Sequence, residues 1–102
     1  MTHVPPPSPW RRYVRGMDID AEIISLLRER APDASICPSD VARALATGEH
    51  AWRALMQPVR DAAANMARKS LIVITQGERH IDPGEVDRGP IRLRRGPSFP
   101  RH

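Results

Sequence analysis

Prolines cut this chain into short lengths: Pro5, Pro6, Pro7 and Pro9 crowd its start, and Pro32, Pro38, Pro58, Pro83 and Pro90 divide the remainder. Each one lacks a backbone donor and holds φ in a narrow range, so a helix tolerates it only in the first turn. Regular elements must be brief and lie between these marks. At 102 residues, one small domain is the ceiling. The longest unbroken apolar run, Leu71-Ile72-Val73-Ile74, is far too short to span a bilayer. An N-terminus without an apolar leader and a single Cys point to a reducing cytoplasm.

Residues 1–17 combine prolines with Arg11, Arg12 and Arg15 and are expected to form a flexible arm, on which Trp10 and Tyr13 are the groups able to dock. From Asp18 the pattern turns helical: Ile19, Ile23, Leu26 and Leu27 share a face, and Pro32 ends the run soon after Arg30. After a brief extended Ser35-Ile36, Pro38-Ser39-Asp40 starts a second helix with Val41, Ala42 and Leu45 on one side, closed by Thr47-Gly48. His50 to Met56 forms a short helical approach, and Pro58 opens a third, longer helix. Val59, Ala62, Ala63, Met66 and Ala67 are its buried stripe, with Arg60, Asp61, Ala64, Asn65 and Arg68 facing elsewhere. Leu71 to Thr75 predicts a strand, Gln76-Gly77-Glu78 a turn, and Arg79-His80-Ile81 its partner. A last extended segment, Gly89 to Arg94, alternates Ile91 and Leu93 with Arg92 and Arg94, and the chain from about Gly96 is expected to be loose.

Three helices followed by a hairpin form the layout of a winged helix-turn-helix, mainly α with a small β wing, over residues 18–95. Within it, Ile36 to Leu45, Trp52 to Met56, Val59 to Ala63 and Gly89 to Leu93 together resemble the small bacterial family known as domain of unknown function 3253. The resemblance covers about residues 19–95. It implies a winged-helix core and brings no established activity. Members of that family often have Gly before the first wing strand, whereas this chain has Lys69-Ser70.

The formal charge is +4, but it is unevenly placed. Residues 1–17 hold three bases and no acid, residues 71–87 one base and four acids, and residues 88–102 five bases and no acid. The fold and this placement predict binding of double-stranded DNA, as by an accessory transcription regulator. Arg60, Asn65 and Arg68 on the third helix would read bases, because Arg and Asn form paired hydrogen bonds with guanine and adenine edges. Arg43, Arg92, Arg94 and Arg95, with Arg11 and Arg12 of the arm, would meet phosphates. Each has a structural alternative: Arg43 and Arg53 can pair with Asp40, Glu49 or Asp61, and Arg60 can be held within the fold. The acidic stretch Glu78, Asp82, Glu85 and Asp87 repels phosphate and favours the rival function, a protein-interaction adaptor without a nucleic-acid role.

No phosphate loop, nucleophile elbow or paired carboxylate with a nearby His appears, so no enzymatic activity and no cofactor are expected. His3, His50, His80 and His102 are scattered and Cys37 has no partner at a ligand spacing, which speaks against a metal. Cys37 before Pro38 is expected to be an ordinary, partly buried thiol.

Overall fold

A computed structural model describes residues 19–46 and 48–100. Its first helix, α1, covers residues 19–28 and buries Ile19, Ile23 and Leu27, spaced one turn apart. Strand β1 (Ser35–Ile36) leads to α2 (Pro38–Leu45), α3 (Glu49–Ala54), α4 (Met56–Arg68), β2 (Ile72–Gln76) and β3 (Arg79–His80). A single 3-10 turn (Pro83–Glu85) then precedes β4 (Arg92–Arg95).

All strand pairs are antiparallel and the sheet order is β1-β4-β2-β3. Ile74 opposes Leu93 and Leu93 opposes Ile36, so one face of the sheet carries these three with Ile72 into the core. Above them pack α1, Val41 and Ala42 of α2, and Val59, Ala63 and Met66 of α4. This is the winged-helix arrangement, with β2, β3 and β4 as the wing strands and residues 81–91 as the wing loop between β3 and β4.

Local chemistry explains the boundaries. Helix α2 starts in a reciprocal cap: the Cys37 amide donates to the Asp40 carboxylate at 3.0 Å, and the Asp40 amide donates back to the Cys37 side chain. Helix α4 begins at Met56, two residues before the proline expected to open it. Pro58 fits because the first amides of a helix have no intrahelical partner. Leu71 N donates to Met66 O at 3.0 Å and Ser70 N to Ala67 O at 3.0 Å, the paired bonds of a Schellman cap, with Ser70 at φ 63° where glycine is usual.

The segment after Gly96, expected to be loose, is attached instead. Gly96 N donates to Leu71 O and Ser98 N to Ser70 O. A Cβ on Gly96 would stand 2.5 Å from Ser70 O, so only glycine permits the approach.

Candidate interaction surface

Helix α4 fixes the surface of interest, because its buried stripe leaves the opposite side for a partner. Val59, Ala63 and Met66 point inward as expected. Ala64, expected to face away from the core, is only 5% exposed, and so is Val86 of the wing loop. The loop therefore lies on the outward side of α4.

Arg60 secures it. Its guanidinium donates to Val86 O and, at 3.3 Å, to Gly89 O. Gln57 adds a second tie, donating from one amide nitrogen to Asp61 at 3.0 Å and Asp87 at 3.1 Å. Arg60 is thus half-buried and engaged in the fold, the structural alternative to base reading that the sequence left open. The physical cause is a loop whose carbonyls have few donors of their own. Asn65 and Arg68 remain exposed, with Arg68 donating to Asn65 Oδ1 at 3.1 Å.

The arginines of β4 turn back on the protein. Arg92 donates to the Ser35 hydroxyl at 2.9 Å and also to the Ser35 carbonyl and the Cys37 sulfur. Arg94 reaches Asp33 O at 2.7 Å. Arg95, on the same side as Leu93, donates to Leu27 O at 3.0 Å and Arg30 O at 3.2 Å and stacks on Phe99. The end of α1 leaves carbonyls without helical partners and Pro32 has no amide to offer, so these guanidinium groups take up that acceptor capacity.

Arg43 and Arg53 lie over the Trp52 ring, at 4.3 and 4.9 Å from its centroid. Arg53 also pairs with Glu49 at 2.6 Å, and this hydrogen bond, reinforced by the charge, holds the Glu49 carboxyl below its ordinary range. Arg11 and Arg12 lie outside the described residues.

The wing arginines Arg79 and Arg88 were not among the candidates drawn from the sequence. They line an open cleft of about 210 Å³ with Gln76, Ile81 and Glu85, and neither has a side-chain partner among the described residues. Their signal in the sequence was weak: two single arginines on either side of an acidic stretch. Among the described residues no group of three or more His, Cys, Asp or Glu is placed to hold a metal. No described helix is long and apolar enough to cross a membrane.

Residues 17–96 match a family model described as a protein of unknown function, DUF3253. The chain belongs to this family. Its matched span takes in all the described helices and strands, including the wing loop on α4 and the arginines that serve the fold. No curated protein matches the sequence.

Proposed function

We propose that this DUF3253 domain is a protein-interaction module built on a winged helix. The observation that carries the reading is the wing loop lying along α4, with Ala64 and Val86 buried against each other's elements and Arg60 bonded to loop carbonyls. A helix that enters a major groove needs its outward side clear over several turns. Here the loop brings Asp87 to the same Gln57 amide as Asp61, a pair of carboxylates that phosphates repel. The β4 arginines bond to carbonyls of the same chain, which ties their guanidinium groups to the fold. What α4 and its loop do present is a mixed polar surface of Asp61, Asn65, Arg68 and Asp87, chemistry suited to the rim of a protein interface.

Affinity capture from nuclease-treated lysate tests it. A stoichiometric protein partner is expected, lost when Arg68→Glu and Asp87→Lys are combined in a chain that still folds. Recovery that depends on nucleic acid would refute the reading.

One observation favours duplex binding as a second reading: Arg79 and Arg88 line one open cleft of the wing and have no side-chain partner among the described residues. In that case Arg79→Ala with Arg88→Ala would weaken duplex binding uniformly across sequences and flatten its salt dependence.

A further inference from the structure

Residues 82–90 of the wing loop rest on α4 without being woven into it. Their main-chain hydrogen bonds, Glu85 N to Asp82 O at 2.8 Å and Arg88 N to Glu85 O at 3.1 Å, close turns within the loop itself. Among the described residues, the ties to the rest of the fold are side-chain bonds: Arg60 to the Val86 and Gly89 carbonyls, Gln57 to the Asp87 carboxylate, and Gln76 of β2 to the carbonyls of Arg88 and Pro90. Only Val86 of these nine residues is buried. Both ends are held separately, since Ile81 N donates to Ile74 O at 3.0 Å and Ile91 is buried in the core. A segment with one apolar anchor and turns of its own opens at small cost while the strands on either side stay paired.

On α4 the loop fills a seat of definite chemistry. Ala64 has a side chain small enough to admit Val86, and the two line the same cleft. Toward the start of the helix, Arg60 directs its guanidinium at the Val86 carbonyl and Gln57 directs its amide at the carboxylate of the next residue, Asp87. Gln57, Arg60 and Ala64 share one side of the helix by their spacing of three and four. They hold an apolar side chain, its own carbonyl, and a carboxylate directly after it, presented by a single 3-10 turn over Pro83–Glu85.

We propose that the wing loop is a stand-in ligand: the α4 seat of Gln57, Arg60 and Ala64 binds a turn of a partner protein in which an apolar residue is followed directly by Asp or Glu. The partner's turn displaces residues 82–90, and the loop sets the affinity by competing for the seat. That ligand class belongs to the interaction face proposed above and stands on the same reading. Asn65 and Arg68, exposed beside Ala64, remain as rim, with Arg68 adding positive charge toward an acidic turn.

A synthetic peptide with the chain's own sequence from Asp82 to Gly89 is the probe, titrated into the isotope-labelled full chain and followed by the amide shifts of α4. With Val86→Ser in the chain, shifts are expected at Gln57, Arg60 and Ala64, saturating with a dissociation constant of about 1 mM. The parent should bind the same peptide roughly tenfold more weakly, because its own loop occupies the seat for most of the time. Val86→Ala should fall between the two, and circular dichroism checks that each variant keeps its fold. Adding Arg60→Ala to the Val86→Ser chain, or replacing the valine of the peptide by serine, should abolish the shifts. Equal binding by the parent and the Val86→Ser chain, no response of α4 at millimolar peptide, or shifts that survive Arg60→Ala would each overturn the proposal. The probe requires no cellular partner, so a failed capture and a failed titration are separate results.

Discussion

Ser70 holds a left-handed backbone, φ 63°, that an L side chain adopts at a cost of roughly 1–2 kcal/mol. Glycine is the usual residue at this position of a Schellman cap, and the sequence marked the tightness of the Lys69-Ser70 turn as a point of departure. Ser70→Gly is expected to raise stability by about 0.5–1 kcal/mol, visible as a higher melting temperature; an unchanged or lower value would contradict the cap geometry. Asp20 gives a pH test. Desolvation where α1 packs pushes its carboxyl up, against a smaller downward pull from Lys69. With the folded value the higher of the two, the carboxyl's contribution is fully present below the unfolded-state range and is lost as pH rises through the folded value. Asp20→Asn should therefore gain in stability relative to the parent as pH rises between about 3 and 6, read from denaturation midpoints. Parallel curves would contradict the assignment. At this scale the sequence named the inward side chains of α1, α2 and β4 correctly, because 3.6- and 2-residue periods are local. It left Arg60 between a groove and a structural contact, because its acceptors are carbonyls 26 and 29 residues away.

Helix α4 and the wing loop behave as one unit through that arginine. Arg60→Ala removes the donor from two loop carbonyls and is expected to cost about 1–2 kcal/mol while speeding amide exchange from Val86 to Gly89. Destabilisation without faster exchange in the loop would place the contribution of Arg60 elsewhere. At the other end of the sheet, Arg95→Ala removes the side-chain donor from the carbonyl of Arg30 and from that of Leu27, which keeps the Arg30 amide, and a loss of about 1–3 kcal/mol is expected in a urea titration. A loss under about 0.5 kcal/mol would contradict the capping role. The helices, the β2 strand and their order were legible because prolines and branched residues mark their ends within a few positions. The course of residues 82–89 was not: Val86 is a lone apolar residue among acids, with no period to reveal that it is buried on α4.

For the molecule as a whole, the chain's positive charge and the folded surface tell different stories. Residues 1–17 and 88–102 hold the excess of arginine, yet Arg92, Arg94 and Arg95 of the second segment bond to backbone carbonyls, as Arg60 does, and Arg53 pairs with Glu49. Counting bases by segment located the excess, but which guanidinium groups would be spent on carbonyls depended on how α1 and β4 end, a tertiary matter. The central claim is that α4 is covered by its own loop and does not read a groove. Fluorescence anisotropy of the full chain against a mixed-sequence duplex at about 0.15 M salt tests it most directly. The account predicts weak, salt-sensitive binding no tighter than the nonspecific range of about 1–100 µM, unchanged by Asn65→Ala with Arg68→Ala. Saturable nanomolar binding abolished by those two substitutions would contradict it.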